Sequence, residues 1–157
     1  LDKANLDAFR DALVAYAGER IAVEDLVPAI DLDAEVGLDD LTEALCLQLE
    51  RMAPFGRGNR EPRVLVRDVQ IADDPRTIGK TGAHLVLMLQ QGSRRVRCIA
   101  WRKWELVDDL RRGQRLDVAI EPKLNRWNGR TNVEAVLEDL RPTEPPSGVG
   151  PSSTSGP

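Results

Sequence analysis

Two periods divide this chain, and the break between them falls in the stretch ERMAPFGRGNREPR at residues 50–63. Before it, apolar residues recur every three or four positions, the spacing of one helix face. After it they alternate, the spacing of one strand face. Leu6, Phe9, Leu13 and Tyr16 mark a first helix over residues 5–17, with Asn5 as its N-cap and Gly18 as its stop. Residues 29–36 (AIDLDAEV) alternate apolar and acidic side chains and suit an edge strand or extended segment. A second helix begins at Leu38 and continues through Leu41, Leu45, Leu49 and Met52, with Asp39 and Asp40 near its start, where carboxylates are favoured. Pro54 and Gly56 end it, because a proline ring disfavours helical geometry at the residue before it.

Past Pro62 the alternation takes over. Val64, Val66, Val69 and Ile71 read as a strand whose period slips at Arg67 and Asp68, the mark of a bulge. Residues 72–83 (ADDPRTIGKTGA) form a turn-rich loop. Residues 84–90 and 94–100 are strands joined by Gln91, Gly92 and Ser93, a hairpin signal. Trp104, Leu106, Val107 and Leu110 make a short helical stretch that Gly113 closes. Residues 116–124 and 131–140 are two more strands around Asn128-Gly129, the strongest short hairpin-turn dipeptide. Three strands, a short helix and two strands is the order of the OB-fold, a partly open five-stranded barrel. The expected architecture is an α+β fragment followed by an all-β five-stranded OB-fold barrel. Its parts are a helical segment at 1–53, a junction at 54–62, the barrel at 63–141, and a tail at 142–157. The tail holds Pro, Ser, Gly and Thr with almost nothing apolar, and is expected to be disordered.

Composition bears on what such a barrel binds. The net charge of −4 conceals a division: residues 1–55 carry 4 Lys and Arg against 13 Asp and Glu, whereas residues 56–141 carry 18 against 12. The basic half is where nucleic acid is expected to bind. OB-folds take oligonucleotides on the face of their second and third strands and in the loops joining strands 1–2 and 4–5. Those loops hold Arg76 and Lys80, and Arg126, Trp127 and Arg130; the intervening hairpin adds Arg94, Arg95 and Arg97, and His84 opens the second strand. One histidine and two cysteines, Cys46 and Cys98, with no CxxC, exclude an ordinary zinc site. Two reduced, largely buried thiols are expected instead. The acids Asp31, Asp33, Glu35, Asp39 and Asp40 match no ion-binding loop and read as caps and a solvated face. No run of about 18 apolar residues or secretory leader is visible. A first residue Leu1 in place of Met suggests a processed or partial sequence.

The segments LERMAPFGRGNREPRVLV, IGKTGAHLVL, CIAW and LNRWNGRTNVEAVLEDLRP together resemble the C-terminal third of RecJ-type single-stranded-DNA-specific exonucleases, of the DHH phosphoesterase superfamily. The resemblance runs from about residue 5 to residue 142, and the Pro-Phe-Gly-x-Gly-Asn-x-x-Pro spacing from Pro54 to Pro62 is its most specific part. It implies that residues 1–53 are the end of a DHH-associated domain with a connecting helix. The barrel would then guide 5′-ended single-stranded DNA towards a nuclease core in DNA repair and recombination, in the cytoplasm. It also implies hydrolysis with two divalent ions, Mn2+ or Mg2+, held by Asp and His motifs that do not occur in this chain. The implied parent is a 5′→3′ exonuclease, this stretch alone being inactive, with no cofactor of its own. Two positions depart from the pattern: Val86 stands where the family commonly has lysine, and Trp101-Arg102-Lys103-Trp104 replaces a short glycine-containing stretch.

Each candidate has a bland alternative. Trp127, in a polar turn, is a base-stacking ring or folds back over its hairpin. Trp101 is expected in the barrel wall and Trp104 in the core, although two tryptophans flanking two cations also make an additional stacking surface. Any single arginine is a solvated charge; the set gains weight from its position. Lys80, between Gly79 and Thr81, suits a close approach to phosphate, but GKTG is not a nucleotide-binding P-loop, since the first glycine is misplaced and no helix follows. His84 contacts DNA or makes a structural hydrogen bond. Beside single-stranded DNA, the alternative partner is an acidic protein segment such as the tail of single-stranded-DNA-binding protein, docked by the same arginines.

Overall fold

The structure, a computed structural model, describes residues 3–22, 26 and 28–143 and has two compact units, Leu1–Asp31 and Leu32–Pro157. In the first, helix α1 (Leu6–Gly18) follows a 3-10 turn at Lys3–Asn5. Asn5 makes no side-chain cap, and the helix runs through the expected stop to Gly18, where the Glu19 N–H still donates to Ala15 O at 3.2 Å. Leu6, Phe9, Leu13 and Tyr16 fall on α1 as their spacing requires, and all are exposed.

The second unit begins with β1 (Ala34–Glu35), the short core of the expected extended segment, paired parallel to β2 (Val64–Ile71). The second helix does not start at Leu38. Leu38–Asp40 is a separate 3-10 turn, and α2 (Glu43–Glu50) begins after it, where the Thr42 hydroxyl accepts the Leu45 N–H at 3.2 Å. The acids therefore serve the turn: Asp40 Oδ2 accepts the Gly37 N–H at 2.7 Å. Leu38 and Leu41 are wholly buried beneath the barrel hairpin, where Gln91 Oε1 accepts the Leu38 N–H and Arg94 Nη2 donates to Leu41 O.

Residues 54–62 make a compact corner rather than a loose linker. Gly56 and Asn59 exchange backbone hydrogen bonds, and Asn59 Nδ2 donates to Met52 O and Pro54 O at 2.9 and 3.1 Å. Asn59 thus ties the segment after α2 to the corner, while the carbonyls of Gln48, Leu49 and Glu50 accept from Arg51, Met52 and Ala53.

The remaining strands are β3 (Arg76–Ile78), β4 (His84–Gln91), β5 (Arg94–Ala100), β6 (Arg115–Trp127) and β7 (Arg130–Pro142), with a 3-10 turn at Trp104–Val107 between β5 and β6. The sheet order is β1-β2-β6-β7-β5-β4-β3, and a further β2–β4 pairing closes β2, β6, β7, β5 and β4 into a five-stranded ring. β5 and β7 run parallel; the other ring pairs are antiparallel. Inward residues of all five strands form one core, from Val66 and Val69 to Leu87, Leu89, Val96, Val118 and Leu137, with Leu110 plugging it. This is the OB-fold topology.

Local sequence explains the bends. The expected bulge is present: the β2–β6 register slips between Val66 and Val69, and Asp68 takes φ 54°. Gly92 (φ 58°) turns the β4–β5 hairpin, and Asn128 and Gly129 (φ 48° and 71°) form the two-residue turn between β6 and β7. Two expectations need correction. The loop at residues 72–83 contains β3, whose Thr77 pairs with Leu85. β6 and β7 reach further than expected, because tight pairing at the turn extends the ladder through Trp127 and Arg130, and Pro142 ends β7. Residues 144–157, most of the expected tail, lie outside the described residues.

Candidate nucleic-acid interface

Strand alternation sets the outer face of β4 and β5. Since Val96, Cys98 and Ala100 point into the core, Arg95, Arg97 and Ile99 point out, and Trp101 follows at the next outward position. Opposite them on β4 stand Gln90, Met88 and Val86, with His84 at the strand's start beside Trp101. β3 adds Arg76 directly across from Val86, so a cation sits one strand away from the position where lysine was expected. On the other side β7 sets Glu134 beside Arg97. The parallel register places the β6–β7 turn beyond the first residue of β5, whereas residues 76–83 and 101–103 lie towards its far end.

At the turn end, Trp127 is 72% exposed, so it does not fold back over the hairpin. Arg130 is exposed as well, and no carboxylate pairs with it among the described residues. Arg126 lies in β6 rather than a loop, and both of its terminal nitrogens grip Glu50 of α2 at 2.9 and 2.7 Å. That hydrogen bond holds the Glu50 carboxyl below its usual range and raises the Arg126 guanidinium. Along β5, Arg95 pairs with Asp73 at 2.5 Å and Arg97 with Glu134 at 2.8 Å. Arg94 serves the fold through Leu41 O.

At the far end, Arg76 and Lys80 are exposed and lack carboxylate partners among the described residues. His84 makes the structural hydrogen bond: its Nδ1 accepts the Arg102 N–H at 3.1 Å, and its ring meets Trp101 edge-on at 4.7 Å. Trp101 and Trp104 are 50% and 49% exposed, which overturns their expected places in the barrel wall and core. Leu106, Val107 and Leu110 already fill the space beneath the 3-10 turn, so Trp104 faces solvent. Outward parity after Arg95, Arg97 and Ile99 was the signal that could have placed Trp101.

The opposite outer face, on β2 and β6, also carries arginine, with a different outcome. Asp117 is 5% exposed and accepts from Arg67, Arg141, the Thr143 hydroxyl and the Asp68 N–H at 3.1–3.3 Å. Burial pushes its carboxyl up, but the Asp68 N–H, Thr143 and Arg141 together hold it below the ordinary value. Arg115 forks onto the Asp68 carboxylate, and Arg67 reaches Glu35 at 2.9 Å. Arg63 binds Glu121 and Glu138 at 3.1 and 2.9 Å. Nothing in the local sequence singles out Asp117; its partners come from separate strands and the segment after β7.

Cys46 and Cys98 are free and buried, and burial pushes the Cys98 thiol up to about 12. Among the described residues no three His, Cys, Asp or Glu side chains come together as a metal site, so the donors that a two-ion phosphodiesterase requires are not assembled there.

A five-stranded ring of this strand order defines an OB-fold domain. Residues 32–139 match the model of the RecJ OB domain, and the chain belongs to that family. It is 27% identical over 135 residues to the single-stranded-DNA-specific exonuclease RecJ of Bacillus subtilis (strain 168), covering 86% of this chain and 17% of that protein. The structure of RecJ from Thermus thermophilus in complex with Mn2+ superposes with a TM-score of 0.69 at 28% identity, over 92% of this chain and 20% of that one. The Mg2+ complex of RecJ from the same organism gives 0.67 at 29% identity, over 92% and 21%. The chain thus spans about a fifth of the length of these relatives.

Proposed function

We propose that this chain is the single-stranded-DNA-binding C-terminal region of a RecJ-type exonuclease, acting in DNA repair and recombination in the cytoplasm. It guides 5′-ended strands towards a metal-dependent phosphodiesterase core carried by the rest of such an enzyme, where Mn2+ or Mg2+ supplies the hydrolytic chemistry. The observation that carries this reading is Trp127, 72% exposed at a two-residue turn with Arg130 beside it. A base stacked on such a ring contributes roughly 1–3 kcal/mol whatever its identity, and neighbouring cations follow the phosphates. Arg95 faces a single exposed carboxylate, Asp73, and exposed pairs of this kind contribute only about 0–1 kcal/mol, so a phosphate can replace that acid, whereas Arg97 is held by the part-buried Glu134.

Fluorescence anisotropy of a labelled oligothymidylate with this chain tests the reading. Binding is expected at low salt, weakening as salt rises, with little dependence on base sequence. No binding at low salt removes it. An acidic peptide with the sequence of a single-stranded-DNA-binding protein tail is the competing ligand for the same arginines; tight peptide binding without oligonucleotide binding would turn the assignment to protein docking.

A further inference from the structure

Two acids hold arginines on the outer face of β4 and β5, and they hold them differently. An open trough of 440 Å³ crosses this face, lined by Asp73, Met88 of β4, Arg95 and Arg97 of β5, and Asn132 and Glu134 of β7. Glu134 belongs to the barrel: its Oε1 accepts from Arg97 and from Asn125 Nδ2, both at 2.8 Å, and its side chain is 14% exposed. Asp73 comes from the segment between β2 and β3. There the Ala72 N–H donates to Met88 O at 2.7 Å and so delivers the next side chain to the trough. Among the described residues the Asp73 carboxylate accepts only from Arg95 Nη2, at 2.5 Å, and both side chains are about half exposed. The pair therefore fills no gap in the core and satisfies no buried group. A carboxylate and a phosphate offer a guanidinium the same paired oxygens, and an exposed ion pair is exchanged at little cost.

We propose that Asp73 is a built-in competitor for phosphate: its carboxylate occupies on Arg95 the place that a phosphate of the bound strand takes, and it returns there when the strand leaves. This rests on the single-stranded-DNA reading above and adds a regulation of that site. Arg76, Lys80 and Arg130, which have no acid among the described residues, are left to hold a strand outright, whereas Arg95 holds it by exchange. The exchange has a signature in salt. A free guanidinium that binds a phosphate releases a cation condensed on the strand, which steepens the fall of affinity with salt. When the phosphate displaces Asp73, the freed carboxylate draws a cation back, and the two effects offset each other. Arg95 thus adds a contact without adding salt dependence, and an acid tethered beside it shortens the life of that contact. A strand that has to advance past this face is served by contacts of this kind.

The test uses the whole 157-residue chain and a labelled oligothymidylate of about 16 nucleotides, within the range of OB-fold site sizes. Asp73→Asn is expected to bind it about three- to fivefold more tightly at low salt. The slope of log affinity against log salt should steepen by about 0.7, the contribution of one phosphate on a single strand. Dissociation in a chase experiment should slow by a matching factor. Asp73→Glu, which keeps an acid within reach of Arg95, is expected to bind as the unaltered chain does, and both variants should keep its unfolding midpoint. In an Arg95→Gln background, Asp73→Asn is expected to leave the salt slope where it was, because no guanidinium is there to be released. The competitor role is overturned if Asp73→Asn alters neither affinity nor slope. A shift of equal size with and without Arg95 overturns it as well, since that is a general effect of charge, and weaker binding by Asp73→Asn would make Asp73 a contact of the strand instead. Each of these results leaves the single-stranded-DNA reading intact. Absence of binding by the unaltered chain and by Asp73→Asn alike overturns both.

Discussion

The two outer faces of the barrel are both rich in arginine, and one nearly sealed acid, Asp117, separates them. On β2 and β6, Arg67 and Arg141 converge on Asp117, which is nearly sealed from water, while Arg115 closes on the neighbouring Asp68. On β4 and β5, Arg95 meets Asp73, which is 58% exposed, Arg97 meets the part-buried Glu134, and at the end of that face Arg76, Lys80 and Arg102 meet no carboxylate among the described residues. A carboxylate that has lost its water depends on its partners, whereas one at the surface can exchange an arginine for solvent at little cost. The first face therefore holds the strands together, and the second keeps cations that no acid engages among the described residues. Counting arginines does not distinguish them.

The comparison breaks first at Asp117. Asp117→Ala leaves two guanidinium groups, a hydroxyl and the Asp68 N–H without their shared acceptor, and urea unfolding is expected to show a loss of about 2 kcal/mol. Oligonucleotide affinity should stay unchanged; an unaltered unfolding midpoint would mean the network is not structural. The same face sets the acid response. Asp117 and Asp68 titrate below their ordinary 3.8 in the folded chain, so their stabilisation is complete above that value and is lost as pH falls through the lower folded values. Asp117→Asn is expected to flatten the fall in unfolding free energy below about pH 4, measured by denaturant titration across that range.

On the other face the expected effects are on binding. Trp127→Ala should weaken oligothymidylate by about 1–3 kcal/mol with no change in unfolding midpoint, measured by anisotropy and thermal melts. Arg76→Gln should weaken binding of all sequences alike and lower the slope of log affinity against log salt by about 0.7, the contribution of one phosphate on a single strand. Glu50→Gln should have the smallest effect. Releasing Arg126 from its clamp is expected to tighten oligonucleotide binding by no more than about two- to three-fold, since the pair it breaks is surface-exposed. Weaker binding instead would assign Arg126 to holding α2 against β6.

Much of the fold was legible locally, because the signals involved are local. The slip of period at Arg67 and Asp68 marked the bulge, and Asn128-Gly129 marked the turn that presents Trp127. Legibility failed where a neighbour in space decided the outcome. β3 was hidden in a turn-rich loop because three residues carry too little pattern, and only β4 makes them a strand. Leu38 and Leu41 match a helical face, yet they pack under the β4–β5 hairpin at a 3-10 turn, and the Thr42 cap starts α2 afterwards. The division of charge misled in part: Asp33, Glu35 and Glu50 from the acidic half hold Arg60, Arg67 and Arg126 of the basic half, so some of the apparent ligand charge is neutralised within the chain.

The stretch from Pro54 to Pro62 needed no tertiary information to end one helix and open one strand, since proline geometry acts through adjacent bonds. Alternation after Pro62, the glycine turns and the strand order likewise determined a five-stranded barrel. What the tertiary structure decided is which side chains that barrel leaves free. Trp104 resembled core by its spacing, but Leu106, Val107 and Leu110 fill the barrel's end first. Arg126 resembled a ligand-binding cation, but Glu50, distant in sequence, reaches it first. Periodicity reports the direction of a side chain relative to its own strand or helix. Its partner depends on distances between elements, which exist only once the ring has closed.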